Sequence, residues 1–256
     1  MKTVRKHSLL KLSLALLVAM PLFAGKFWED KEFTAWTDKE CKEMLTKSPW
    51  AYSNVFGEGP GPILNSDPSV GADATGPRPA LRTDSFTSDV NIFFEFRLMT
   101  AKPIRMAMAR LQLLQRPNDP TALGQAMNFV NTPPGNRIAF QLSYRTAPTG
   151  SSALHDIHSY FLAATIAEFR TTTYLIPAKG DPVSVEEYLS PGPNRSSPTF
   201  VFPRMDAKEQ PLFGPEDKSV SLRSRFTPTI GGKPKKYDIY IKMNPKQMMF
   251  QKQLAM

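Results

Sequence analysis

Four segments in which apolar and polar residues alternate constrain the fold of this chain most strongly. They are VNIFFEFRLM from Val90, RIAFQLSYR from Arg137, KSVSLRSRF from Lys218 and YDIYIKM from Tyr237. Successive side chains of a strand point to opposite faces, so an alternation with period two predicts a strand with one buried face. The turn-rich TPTIGGKPKK between the last two segments predicts that they pair antiparallel.

Apolar residues with helical spacing occur between the predicted strands. They predict helices over 103–115, 121–130 and 153–169. The order is therefore strand, helix, strand, then helix, then further strands. This order predicts an α+β fold with a mixed or mainly antiparallel sheet and with helices packed on one face.

Segment 25–56 contains all three tryptophans of the chain, Trp28, Trp36 and Trp50, and its only cysteine, Cys41. The segment is too short to have a core of its own, and each large aromatic ring buries much apolar surface. We therefore expect the tryptophans to dock this segment on the main domain. The alternative is that the three rings form an exposed binding surface for a ligand such as a glycan or a peptide.

A short helix is predicted inside this Trp-rich N-terminal segment. Thr37 and Glu40 have the spacing of a capping box, in which each side chain binds a main-chain N–H of the other residue. The helix is expected to run from Asp38 to about Lys47. Cys41 lies on its apolar face, and we expect the thiol to be buried.

The first residues of the chain read as an export signal. A basic start is followed by an uncharged apolar run, by Pro21 and by the small Ala24, which predicts a signal peptide over 1–24 with cleavage near Ala24. The mature protein would be periplasmic or extracellular. The apolar run is too short to span a bilayer, and no transmembrane span is expected in the mature chain. The alternative is an uncleaved N-terminal anchor.

Composition divides the remaining chain and limits its partners. The stretch 57–84 is rich in Pro and Gly and is predicted to be a linker, and 85–256 is predicted to be the α+β globular domain. Without the four basic residues of the leader, 28 Lys and Arg residues stand against 23 Asp and Glu residues. This balance does not call for a nucleic-acid partner.

A pair of histidines is the one candidate metal site. His155 and His158 stand at positions i and i+3 of a predicted helix, with Asp156 between them. A metal site needs further ligands, and the sequence offers no other histidine in the mature chain. The alternative is the polar start of a helix. The signatures of a nucleophile elbow, a dinucleotide site and a P-loop do not occur, so the catalytic residues are unknown, no cofactor is predicted, and an enzyme is the less favoured class.

Two basic segments have a functional and a structural interpretation. The predicted helix 103–116 and its flank carry Lys102, Arg105, Arg110 and Arg116 without an acid, a pattern also found in membrane-surface helices. The lysine-rich C-terminal end could attract anionic envelope polymers or lipid headgroups. We favour an edge strand there, because lysines on an edge discourage aggregation between sheets.

Several motifs in order resemble a family of exported bacterial proteins of unknown function. They are KSPWA at the end of the Trp-rich start, TAKPIRMAMARLQ, FVFPR, PEDKSVSLRSRF and the closing YDIYIKMNPKQMMFQKQL. The resemblance covers most of the chain from Trp28 onward. It implies an exported single-domain protein and no catalytic residue, because none is assigned for the family. The GGKPKK segment and the MMFQKQL ending are more basic than the family pattern.

These observations lead to three functional hypotheses. The leading one is a non-enzymatic binding or scaffold protein of the cell envelope, with an envelope polymer or another envelope protein as its partner. The first alternative is a metal-dependent or hydrolytic enzyme that uses His155, Asp156 and His158. The second is a membrane-surface protein that binds through the basic helix.

Overall fold

The computed structural model describes residues 26–57, 64–65, 90–193, 195–206 and 208–256. The predicted signal peptide and nearly all of the predicted linker lie outside the described residues. The helices are α1 (Phe27–Asp30), α2 (Asp38–Lys47), α3 (Lys102–Gln115), α4 (Ala122–Asn131), α5 (Ser152–Ala163) and α6 (Ile166–Arg170). The strands are β1 (Ala51–Gly57), β2 (Leu64–Asn65), β3 (Asn91–Leu98), β4 (Arg137–Ala147), β5 (Thr173–Ile176), β6 (Val183–Ser184), β7 (Glu187–Leu189), β8 (Thr199–Pro203), β9 (Val220–Phe226), β10 (Thr229–Ile230), β11 (Lys233–Pro234), β12 (Tyr237–Met243), β13 (Met249–Phe250) and β14 (Gln253–Leu254).

The strands form two larger antiparallel sheets and two small hairpins. The large sheet has the order β2-β1-β3-β4-β8-β7, and the smaller one has the order β12-β9-β5-β6. β10 pairs with β11, and β13 pairs with β14. The predicted antiparallel pair is confirmed, because β9 and β12 pair along their whole length. The predicted α+β class, with helices packed against antiparallel sheets, is also confirmed.

Aromatic side chains fill the space between the two larger sheets. Phe94 of the large sheet contacts Phe226 and Tyr237 of the smaller sheet, with ring centroids 5.1 and 5.0 Å apart. Helix α5 packs on the same layer, because the ring of Phe161 contacts both Tyr144 and Phe226. Edge-to-face and offset contacts of this kind stabilise a core beyond the area that they bury. The even-numbered side chains of β3 therefore face a core closed by the second sheet and by helices.

The opposite face of the large sheet carries charged side chains on β3 and β4. Glu95 forms ion pairs with Arg97 and Arg145, at 2.8 and 3.2 Å. Arg145 also stacks over the ring of Phe93, with its guanidinium carbon 3.6 Å from the ring centroid. The alternation of β3 predicted from the sequence is thus realised with one buried face and one polar face.

The N-terminal segment is joined to this core. Trp36 and Trp50 have no exposed surface and belong to the same buried cluster as the sheet residues, whereas Trp28 is partly buried. The capping box that begins α2 is present, with the Glu40 N–H donating to the Thr37 hydroxyl at 3.2 Å. The predicted burial of Cys41 is confirmed, since its exposed fraction is 0%.

The structure differs from the sequence prediction at three elements. β2 lies within 57–84, which was predicted to be a linker, and it pairs with β1. Residues 51–57 form strand β1 of the large sheet, although 25–56 was predicted as a helical segment. The predicted helix 153–169 is two helices, because Ala164 and Thr165 are extended, with ψ angles of 151° and 164°. In a straight helix Phe161 and Phe169 would be about 12 Å apart along the axis. The break brings their ring centroids to 6.3 Å, and both rings become fully buried.

Candidate binding groove at the C-terminal hairpin

An open groove of about 1030 Å³ lies between the loop 204–215 and the β13–β14 hairpin. Its volume is at the upper end of the range found for small-molecule sites. The apolar lining consists of Met205, Pro211, Phe213, Pro215, Met249, Leu254 and Met256. Methionine is unbranched and polarizable, so a lining of this kind adapts to ligands of different shape. Charged side chains, Arg204, Asp206, Glu209 and Lys252, lie around this apolar surface.

The first wall of the groove is a loop held by its own hydrogen bonds. The Asp206 carboxylate accepts from the main-chain N–H of Lys208 and of Gln210, at 2.8 and 2.9 Å. Aspartate commonly binds the backbone of residues that follow it, and this interaction fixes a turn. Met205 and Pro211 form an isolated antiparallel bridge across the loop. The loop is therefore a preformed wall, with Asp206 engaged in shaping it.

The second wall is the C-terminal hairpin, which is attached to the Trp-rich segment. The indole N–H of Trp50 donates to the main-chain oxygen of Ala255 at 2.8 Å, and this bond is buried. The Ala255 N–H donates to the Met248 oxygen at 3.0 Å, and the Phe250 side chain is only 4% exposed. The hairpin is thus fixed to the core from both of its strands.

Left-handed backbone is concentrated at this groove. Among the described residues, the non-glycine residues with positive φ are Glu209 (59°), Gln251 (50°) and Lys252 (63°). Glu209 and Lys252 line the groove, and Gln251 lines the cavity beside it. Gln251 and Lys252 form the two-residue turn of the hairpin, which normally takes Asn and Gly because both positions need positive φ. Strained backbone of this kind is often found at functional sites.

A smaller cavity of about 260 Å³ adjoins the groove. Arg204, Gln253, Leu254 and Met256 line both spaces. The basic side chains of the cavity are Lys102, Arg105 and Arg204, and no Asp or Glu of the described ranges lines it. We refer to it below as the cationic cavity.

Arg105 connects the cationic cavity to helix α4. One terminal nitrogen of its guanidinium donates to the main-chain oxygens of Phe129 and Thr132, at the end of α4. The Nε of Arg105 is buried and has no hydrogen-bond partner among the described residues. Burial lowers the pKa of this guanidinium below its usual value, and it stays charged at neutral pH.

The structure does not bring the three candidate metal ligands together at a metal site. The Nδ1 atom of His158 is 2.8 Å from the hydroxyl of Tyr144, whose pKa is raised to about 12 by burial. Asp156 accepts from the Gly231 N–H at 3.0 Å, and His155 is exposed. In the part of the chain that the structure describes, no group of three His, Cys, Asp or Glu residues has the geometry of a metal site.

The other sequence candidates have structural partners. The Trp36 indole donates to the Lys31 oxygen at 3.1 Å, and Trp50 to Ala255, so neither fully buried ring offers a face to a ligand. Trp28 packs edge-to-face on Trp50, with ring centroids 6.1 Å apart. Burial raises the pKa of the Cys41 thiol to about 11, which keeps it protonated at neutral pH.

Helix α3, the predicted basic helix, lies within the body of the protein. It packs against α2 and α4, and Ile104, Ala107 and Ala109 have no exposed surface. Arg110 donates to the Trp36 oxygen at 2.8 Å. No helix among the described residues combines the length and the apolar character needed to cross a bilayer. The basic side chains at the start of α3 instead face the cationic cavity.

Comparisons with known protein families, with curated proteins and with solved structures find no match to this chain. The site therefore has to be interpreted from its own geometry. The groove is not predicted from the sequence because its lining comes from three separate parts of the chain. Two segments that stand out in the sequence do contribute to the groove. FVFPR contains Arg204, and the C-terminal ending forms the hairpin wall.

Proposed function

We propose that this chain is a non-enzymatic binding protein of the cell envelope, and that the apolar part of its ligand lies in the groove. The observation that carries the proposal is the groove itself, with its seven apolar side chains, its fixed walls and its left-handed residues. The export signal expected over 1–24 and the resemblance to exported proteins support the envelope as its location. The buried, protonated Cys41 thiol supports binding rather than cysteine chemistry.

A groove-filling variant tests this proposal. Gly214 lines the groove, and a Cβ atom added there meets no heavy atom within 4 Å. Gly214→Phe should therefore place a ring at the groove without a backbone clash. Gly192→Phe is the matched control, because Gly192 also has open space around it and does not line the groove.

The measurement is a fluorescence titration with N-phenylnaphthylamine, a neutral apolar dye that brightens when it leaves water. We expect saturable binding to the wild-type protein and to Gly192→Phe, and a loss of about tenfold or more in affinity for Gly214→Phe. An absence of saturable binding to the wild-type protein would contradict the proposal. Equal affinities for all three proteins would place the dye elsewhere and would also contradict it.

A further inference from the structure

We propose that the cationic cavity binds the phosphate group of an amphiphilic ligand whose apolar part lies in the groove. This inference rests on the proposed function and adds the chemical class of the ligand. The two spaces share four lining residues, so one molecule can occupy both of them. Their volumes, about 260 and 1030 Å³, suit a headgroup and a larger apolar body.

The charge of the cavity favours an anion. In the described part of the chain, the Lys102 ammonium takes part in no hydrogen bond or ion pair, and Arg105 donates only to main-chain oxygens. Arg204 donates to an oxygen of Met256 at 3.5 Å, a long contact. If the Met256 oxygen belongs to a carboxylate, it balances one of the three positive charges of the cavity. The other two then have no counter-charge among the described residues that line the cavity. A phosphate monoester carries about −1.5 to −2 charges at neutral pH, so it matches this excess better than a carboxylate does.

The hydrogen-bond donors of the cavity also fit a phosphate. One terminal nitrogen of Arg105 is engaged by main-chain oxygens. Its other terminal nitrogen makes no hydrogen bond in the described part of the chain, so it is free to donate to a phosphate oxygen. Lys102 supplies a flexible ammonium group, and the guanidinium groups of Arg105 and Arg204 supply planar donors that suit phosphate oxygens. Their placement in a cavity that shares four lining residues with an apolar groove distinguishes this site from a solvated basic surface.

Calorimetric titrations with three ligands, each below its micelle concentration, test the inference. The ligands are dodecyl phosphate, dodecanoate and inorganic phosphate. We expect dodecyl phosphate to bind best, with dodecanoate about fivefold weaker because it carries a single charge. Inorganic phosphate should bind weakest, because it leaves the groove empty. Equal affinity for dodecanoate would overturn the assignment of a phosphate, and equal affinity for inorganic phosphate would overturn that of an amphiphile.

A charge-removal variant locates the headgroup. Lys102→Gln should weaken dodecyl phosphate binding by about tenfold, since charge-assisted hydrogen bonds are among the stronger ones. Arg116→Gln is the matched control, because Arg116 follows the other end of α3 and is exposed. It should change the affinity less than twofold. Neither variant should change the affinity for the neutral dye.

Different experimental results would contradict the inference and the proposed function. If the neutral dye binds in the groove and Lys102→Gln leaves dodecyl phosphate binding unchanged, the cationic cavity is not the headgroup site and the groove remains a binding site. If neither the dye nor dodecyl phosphate binds, both the proposed function and the inference are wrong.

Discussion

The indole N–H of Trp50 donates a hydrogen bond to the main-chain oxygen of Ala255, at 2.8 Å and out of contact with water. It joins the residue before β1 to the residue after β14, across 205 positions of sequence. The Trp-rich segment thus holds one wall of the groove in place. Trp50 therefore has a structural role, and the groove whose wall it holds is the candidate site.

Replacement of Trp50 should cost more stability than the same replacement at Trp28. Trp50→Phe leaves the Ala255 oxygen buried without a donor, which typically costs about 1–3 kcal/mol. Trp28→Phe is the matched control, because the Trp28 Nε1 is buried and has no hydrogen-bond partner in the part of the chain that the structure describes. We expect urea unfolding to show a free energy of unfolding about 1–2 kcal/mol lower for Trp50→Phe than for Trp28→Phe. Equal losses would mean that the bond to Ala255 does not hold the hairpin.

The hairpin turn should accept residues that relieve its backbone strain. Gln251 and Lys252 have φ angles of 50° and 63°, which Asn and Gly adopt more readily. The double variant Gln251→Asn, Lys252→Gly should raise the free energy of unfolding by about 1 kcal/mol. The other two-residue turn, Gly231–Gly232, already has glycine at both positions, so Gly232→Ala should lower stability. A double variant that is less stable than wild type would show that the two native side chains contribute contacts stronger than the strain.

The sequence predicts the elements with a clear period and misses those whose pattern is interrupted. The alternations at β3, β9 and β12 and the capping box of α2 are local signals, and each gives the observed element. β1 was missed because Asn54, a buried polar residue opposite Phe94, occupies an inward position where the alternation requires an apolar side chain.

The site itself could not be predicted, because it depends on tertiary contacts. In the sequence, Lys102 and Arg105 belong to a predicted basic helix and its flank, and Arg204 belongs to the FVFPR motif. Neither pattern indicates a shared site. These residues meet at one cavity because the end of β8 and the β13–β14 hairpin both lie beside the start of α3. No local period or spacing in the sequence indicates that these three residues lie close together.

The buried thiol should make stability fall at alkaline pH. The folded-state pKa of Cys41 is about 11, above its ordinary value of about 9, because burial disfavours the thiolate. The unfolded chain therefore loses this proton first, and stability is lost as pH rises from about 9 to about 11. The contribution is up to about 2–3 kcal/mol. The free energies of unfolding of wild type and Cys41→Ala, measured as a function of pH, should converge over this range. A constant difference between the two proteins would contradict burial of the thiol.

The paired histidines are not expected to bind a metal. The side chains of His158 and Asp156 are engaged with Tyr144 and Gly231, and His155 is exposed to solvent. Elemental analysis after dialysis against zinc should therefore give the same metal content for wild type and for His155→Gln, His158→Gln. Stoichiometric zinc that is lost in the double variant would favour the enzyme hypothesis over the binding protein.

The most direct test of the account is methyl NMR of protein labelled with ¹³C at the methionine methyl groups, titrated with N-phenylnaphthylamine. The aromatic dye shifts nearby methyl signals, and Met205, Met249 and Met256 line the groove. Met44 is fully buried in α2, and Met127 is 41% exposed on α4, so they serve as internal controls. We predict saturable shifts of the three groove methionines and unchanged signals from both controls. Shifts of Met127 with no change at the groove methionines would contradict the claim that the groove is the binding site.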